Sequence, residues 1–232
     1  MPAILAEIAD ALAVHGLIPR GGFAFGPDEG APSGARGEPA RAVLLVGNAG
    51  AEYWQGFQEW QAWHPTNIAD PLDTWSREVI GVVAETFRAR AVSPSDRPYL
   101  PFQQWAMRAE GLRPSPLGIL MHPEYGLWHA YRGALLFGEG DAVGELDSAR
   151  RSAHTPIHLC DLCHEKPCLN ACPVGAHSAS GFAYQDCLSH VRGPAGGPCR
   201  ESGCLDRNAC PHGMVYRYPA RVQAFHMEAY AR

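Results

Sequence analysis

Residues 160–173 read Cys160-Asp-Leu-Cys163-His-Glu-Lys-Pro-Cys168-Leu-Asn-Ala-Cys172-Pro173, a C-x2-C-x4-C-x3-C-P run. A cubane iron–sulfur cluster needs four thiolates, one for each iron, and a compact loop of this kind supplies three while the fourth comes from elsewhere. In chains that carry two such clusters, the cysteine before proline crosses to the other cluster. Cys172-Pro173 fits that place, and Cys210-Pro211 repeats it at the far end of the cysteine-bearing segment. This pseudo-symmetry assigns Cys160, Cys163, Cys168 and Cys210 to one [4Fe-4S] cluster and Cys172, Cys187, Cys199 and Cys204 to a second, so that all eight cysteines are used. The second set is the irregular one, because Cys199 follows Cys187 by twelve positions with Gly193-Pro-Ala-Gly-Gly-Pro198 between them. Ala171, Gly175, Ala176 and Gly181 are small enough to let backbone N–H groups reach sulfur, although small residues also suit any tight loop.

Two other uses of the cysteines compete with this one. Structural zinc also takes four cysteines, and His154, His158, His164 and His212 lie nearby, but structural zinc sites show paired C-x2-C knuckles rather than two C-P endings. Disulfides require an oxidising compartment. At the N-terminus, Ile4, Leu5, Ile8, Ala11 and Leu12 fall on one helical face with Glu7 and Asp10 opposite, which describes a core-facing helix. With no basic n-region and no unbroken apolar stretch, the segment reads as neither signal peptide nor membrane span. The expectation is a cytoplasmic protein without membrane contact, in which clustered cysteines serve metal rather than bridges.

All eight cysteines fall between positions 160 and 210, and that shift in composition marks a boundary. The polar run Gly138–Arg151 predicts a linker or surface connection, dividing residues 1–145 from residues 146–232. Hydrophobic residues make up 46% of the 232, enough to bury a core without metal. The net charge of −5, from 19 Lys+Arg against 24 Asp+Glu with no basic block, argues against a nucleic-acid partner.

Within the first part, Arg41–Val46 (RAVLLV) predicts a buried strand that meets a turn at Gly47, Asn48 and Gly50, with a helix after it. Leu72, Val79, Val83 and Phe87 predict a helix from Pro71 to Arg88, with Asp70 as N-cap and Pro71 in the first turn. The apolar runs Leu117–Met121 and Leu127–Phe137 flank His122-Pro-Glu-Tyr-Gly126 and predict a β-hairpin, while Gly26–Pro39 reads as a surface loop. Mixed α and β elements follow from this. Trp54, Trp60, Trp63, Trp75, Trp105 and Trp128 suit a large planar ligand and also suit a core. No nucleophile–base pair, paired carboxylate site or phosphate-cradling loop stands out, and Gly47-Asn-Ala-Gly50 is too short for a dinucleotide fingerprint.

From Cys160 to Tyr218 the chain resembles the ferredoxin domain of epoxyqueuosine reductases, including Cys187-Leu-Ser-His and the closing Gly203-Cys204 to Cys210-Pro211. It departs from them in the last motif, where that family carries C-x2-C-x3-C-P. Here only Cys204 and Cys210 remain, and Cys199 upstream stands in for the missing thiolate. The stretch from 40 to 138 resembles cobalamin-processing proteins of the CblC type, most clearly in Ser115-Pro-Leu-Gly-Ile-Leu-Met-His122-Pro-Glu-Tyr-Gly-Leu-Trp-His-Ala-Tyr-Arg132-Gly-Ala-Leu-Leu and more weakly in Asp70-Pro-Leu-Asp73.

These resemblances imply a nitroreductase-like α+β domain followed by a small ferredoxin-like domain with two [4Fe-4S] clusters. They also imply a cobalamin-linked reductase, with Gly118, His122, Tyr125, Trp128 and Arg132 as cofactor-pocket candidates. Epoxyqueuosine reductases are longer and carry a helical-repeat region that helps bind tRNA, so tRNA modification is not expected of this chain. Three functions follow: a redox enzyme whose clusters pass electrons to a corrinoid on the first domain; a ferredoxin-type carrier whose first domain docks a redox partner protein; and a zinc-stabilised interaction protein.

Overall fold

The computed structural model describes residues 4–151, 156–178 and 181–232, without the side chains of 149–151. It divides into two compact units: Met1–Gly111 with Ala130–Thr155, and Leu112–His129 with Pro156–Arg232. The elements run in the order α1 (Ile4–Ala13), β1 (Ile18–Ala24), β2 (Ala42–Ala49), α2 (Tyr53–Ala62), α3 (Pro71–Thr86), β3 (Arg90–Val92), α4 (Phe102–Glu110), β4 (Arg113–Pro114), β5 (Leu120–Met121), β6 (His129–Phe137) and α5 (Asp141–Arg151). The cysteine-bearing stretch follows with α6 (Leu159–Leu162), β7 (His177–Ser178), β8 (Gly181–Phe182), α7 (Tyr184–Arg192), α8 (Gly197–Ser202), α9 (Leu205–Ala209) and α10 (Ala220–Ala231), joined by 3-10 turns.

The first unit is built on a four-stranded sheet of order β1-β2-β6-β3, with β1 antiparallel to β2 and β3 antiparallel to β6. The run expected to form a strand is β2, buried along nearly its whole length as a continuous apolar run should be. Helix α3 buries Leu72, Trp75, Val79, Ile80, Val83 and Ala84. Its N-cap is Asp70, but the side chain makes no capping bond; the left-handed backbone there (φ 48°) aims the Asp70 carbonyl at the N–H groups of Asp73 and Thr74.

Two sequence expectations are corrected. The Gly138–Arg151 run is no linker: after a turn it forms α5, whose Ala142 and Leu146 are buried four residues apart. Counting polar residues hid that single apolar stripe. Glu145 on the same helix accepts from the N–H groups of Ile4 (3.0 Å) and Leu5 (3.2 Å), satisfying two first-turn donors of α1. The composition boundary near 145 falls inside this helix, and residues 112–129 belong with the cysteine-bearing unit. The second correction concerns the hairpin, because β5 pairs antiparallel with β4 while β6 joins the large sheet. Between them, His122 and Gly126 form only an isolated antiparallel bridge. Among the described residues, no helix is long and apolar enough to cross a membrane.

Candidate metal centre

Four of the eight thiols meet at one enclosed cavity of the second unit. Helix α6 carries Cys160 and ends on Cys163; the turn at Pro167–Leu169 presents Cys168; and Cys210 follows the last residue of α9. The cavity walls are these four cysteines with Met121, Leu127, Pro116, Pro211, Ser115, Lys166 and His212. Met121, Leu127, Cys160 and Cys210 also form one buried apolar cluster, against which Leu117, Ile119 and Leu159 pack.

The thiols act on one another electrostatically. Burial pushes Cys160 up to about 11, Cys210, Cys168 and Cys163 add to the shift, and Lys166 opposes it. Cys168 is raised by burial first, then by Cys210 and Cys163. Cys210 is raised by burial as well, against an N–H bond from His212 to its sulfur and the nearby Arg217. Lys166 folds its ammonium back onto the loop, donating to the carbonyls of Cys160 (2.8 Å) and Cys163 (3.1 Å).

The other four thiols form a second neighbourhood. Cys172 follows the first loop, Cys187 sits on α7, Cys199 on α8, and Cys204 is the N-cap of α9. The N–H of Ala176 donates to Cys172 Sγ at 3.4 Å, the sulfur contact that a small residue here allows. Cys199 is raised by burial, then by Cys172 and Cys187; Cys204 is pushed by burial up to about 11, against N–H bonds from Arg207 and Asp206, with Asp206 and Cys187 adding charge. All eight cysteines are free. Among the described residues, no three His, Cys, Asp or Glu side chains close round a single metal ion.

Sequence reasoning missed the charged groups around the thiols. Asp206 is fully buried, accepts from Ala171 N (3.1 Å) and pairs with His177 Nδ1 (2.8 Å), whose ring stacks on Phe182. Arg207 lies over the rings of Trp128 (4.4 Å) and Tyr218 (4.9 Å) and donates to the Leu127 carbonyl at 2.6 Å. An Asp or Arg between cysteines reads as surface in a sequence, and only the fold shows which one is enclosed. Of the histidines, His154 lies outside the described residues, His164 is exposed, and His158 has its pKa lowered by burial and Arg113.

Two glycines bring the 122–126 turn onto the Cys210 segment. Gly126 and Gly213 both have left-handed backbones (φ 58° and 69°). A Cβ at Gly126 would lie 2.3 Å from the His212 carbonyl oxygen, and one at Gly213 would lie 2.2 Å from that of Tyr125. Gly126→Ala is expected to destabilise the second unit by about 2–4 kcal/mol, through backbone strain and a collision that neither main chain can relieve cheaply. Urea unfolding followed by tryptophan fluorescence checks this, and an unchanged midpoint would contradict it.

Of the five pocket candidates, Gly118, His122, Tyr125 and Trp128 belong to the second unit and Arg132 to the first. Gly118 is exposed in a turn, where its N–H bonds the Ser115 carbonyl. His122 and Tyr125 stack at 4.0 Å with an interplanar angle of 7°. His122 Nδ1 accepts from the N–H groups of Glu124 and Tyr125, both at 3.1 Å, which leaves the ring proton on Nε2 and no lone pair for a cobalt ion. Trp128 is 0% exposed. Arg132 belongs to the first unit, where its Nε donates to Asn48 Oδ1 (3.0 Å) and its guanidinium lies over Tyr53. Trp54, Trp75 and Trp105 are likewise buried, and Trp63 is 89% exposed.

No protein-family model matches the sequence, and comparison with curated proteins gives no match. Among solved structures, the chain is similar to an epoxyqueuosine reductase in complex with a tRNA-Tyr epoxyqueuosine-modified stem loop, with a TM-score of 0.51 and 15% identity over 94% of this chain and 67% of that one. It is similar to the epoxyqueuosine reductase of Bacillus subtilis with a TM-score of 0.50 and 15% identity over the same shares, 94% and 67%. A C. elegans B12-trafficking protein CblC, a homologue of human MMACHC, gives a TM-score of 0.49 and 14% identity over 98% of this chain and 94% of that one. At such identity the likeness to the reductases is one of fold, a mixed α/β architecture with a four-stranded sheet.

Proposed function

We propose that this chain is an iron–sulfur redox protein that holds two [4Fe-4S] clusters and passes single electrons to a corrinoid bound by its N-terminal part. The observation that carries the reading is the sorting of eight free thiols into two neighbourhoods of four, the first of them around an enclosed, largely apolar cavity. Cys160, Cys163, Cys168 and Cys210 would hold one cluster, and Cys172, Cys187, Cys199 and Cys204 the other. A cubane spreads its thiolates over four irons, whereas a zinc ion draws four sulfurs to about 2.3 Å from one centre. Thiols ranged round a cavity fit the first arrangement. Such clusters supply one-electron transfer at a potential set by burial and by hydrogen bonds to sulfur. Here the residue that would adjust it is Ala176, whose N–H reaches Cys172 Sγ.

The corrinoid part of the proposal rests on the motif resemblance over Ser115–Leu136. A carrier reading, in which the N-terminal part only docks a redox partner protein, is favoured by the full burial of Trp128 and by the Nε2–H state of His122. RNA is no part of the proposal, because acidic residues outnumber basic ones and no basic run occurs. A cytoplasmic location belongs to it. The test is anaerobic purification with iron, sulfide and zinc analysis, followed by titration with cobalamin. About eight irons and eight sulfides per chain are expected, as two [4Fe-4S] clusters require. Zinc without sulfide overturns the cluster reading, and clusters without a change in the cobalamin spectrum favour the carrier.

A further inference from the structure

The two thiol neighbourhoods sit in unequal electrostatic surroundings. Two cations serve the first. Lys166 lines the cavity of Cys160, Cys163, Cys168 and Cys210 and is held there by bonds to two carbonyls of the same loop. Its backbone is left-handed (φ 41°), a conformation disfavoured for a residue with a Cβ. The strain goes with placing an ammonium at the cavity wall. Arg217 is the second cation, acting on Cys210 and held by Asn208 O and Met214 Sδ, and among the described residues no carboxylate forms an ion pair with it or with Lys166. The acids on this loop, Asp161 and Glu165, are both exposed, and Asp161 is bound by Arg113.

The second neighbourhood has the opposite companion. Asp206 is enclosed two residues from Cys204, fixed by Ala171 N and His177. Its charge acts on Cys199 and Cys204 of the second set and on Cys168 of the first. Arg200, which donates to the carbonyls of Val191 and Gly193, outweighs Asp206 at Cys199, so the Asp206 charge is felt chiefly at Cys204.

We propose that Lys166 and Arg217 raise, and Asp206 lowers, the reduction potentials of the groups held by the first and second thiolate sets, so that a single electron shared between them rests at the first. This rests on the cluster reading above and goes beyond it by ranking the two sites and naming the side chains responsible. Charge near a cluster shifts its potential because reduction adds one negative charge to it. The exchange itself is one electron, lost by the second site and gained by the first, with no proton or bond change.

The test is an EPR-monitored redox titration of the anaerobically loaded full chain and its variants, with dithionite as reductant. The native chain should show two separate one-electron steps. Lys166→Gln should lower the upper step about tenfold in equilibrium constant, about 59 mV for one electron, and leave the lower step within about twofold. Arg217→Gln should do the same, Lys166→Arg should restore the native value, and Asp206→Asn should raise the lower step. Coincident steps in the native chain overturn the proposal. So does an equal shift of both steps, or movement of the lower step alone, in Lys166→Gln and Arg217→Gln. If Lys166→Gln fails to load, Arg217→Gln decides. A native chain that lacks iron and sulfide overturns the cluster reading itself, a failure seen in the metal analysis before any titration.

Discussion

Cys210→Ala is expected to lower the iron content from about eight to about four per chain, as loss of one [4Fe-4S] cluster of two requires. The cluster lost should be the one on the 160–168 loop, fifty residues earlier. The reason is geometric: Cys210 shares a cavity with Cys160, Cys163 and Cys168, and its charge acts on Cys160 and Cys168. Cys172 stands only four residues after Cys168, yet its neighbours are Ala176 and Cys199. Cys172→Ala should therefore remove the other half of the iron, and the two variants should retain different EPR signals. A sequential arrangement, with Cys160, Cys163, Cys168 and Cys172 on one cluster, predicts the reverse pairing: Cys172→Ala would empty the loop and Cys210→Ala would spare it. Iron analysis alone cannot separate the two, so the comparison depends on matching the surviving spectrum of each variant to one of the two native signals.

The expected interleaving of the cysteines rests on cysteine–proline endings, which are local and rigidly spaced. Strand β2 and helix α3 were legible for a related reason: a continuous apolar run and a 3.6-residue stripe each leave a direct mark on the sequence. What escaped depends on partners far away in the chain. Leu120–Met121 and His129–Phe137 are both apolar and both extended, so their local signal is that of a hairpin. Their partners, β4 for one and the large sheet for the other, are fixed by packing that no short window contains. Helix α5 was hidden because two buried residues, Ala142 and Leu146, are a small minority of its composition. Asp206 and Lys166 escaped for another reason: nothing in the order of the sequence separates an enclosed carboxylate or a cavity-lining ammonium from an ordinary surface charge.

A buried charge of the same hidden kind in the first unit gives the largest expected stability effect. Arg20 on β1 is 1% exposed, and its Nε and Nη2 donate to the two carboxylate oxygens of Glu110, each at 3.0 Å. Tyr131 on β6 donates its hydroxyl to Glu110 as well, and its ring lies 4.6 Å below the guanidinium. Burial raises the Tyr131 phenol, with Arg20 opposing and Glu110 adding to the shift, so the phenol stays protonated and keeps donating at any ordinary pH. The end of α4 is thereby tied to two strands of the sheet. Glu110→Ala removes the carboxylate and deprives the enclosed guanidinium of two charge-assisted bonds, at an expected cost of about 3–5 kcal/mol. In a chain of this length that is on the order of 10 °C in Tm. Replacing the whole pair should cost much less, because the penalty comes from the charge left behind rather than from the bond itself. Arg20→Met combined with Glu110→Ala is therefore expected to recover more than half of the loss. Thermal unfolding of the two single variants and the double variant closes the cycle. Additive losses would show that the two side chains act independently, contrary to the geometry that joins them.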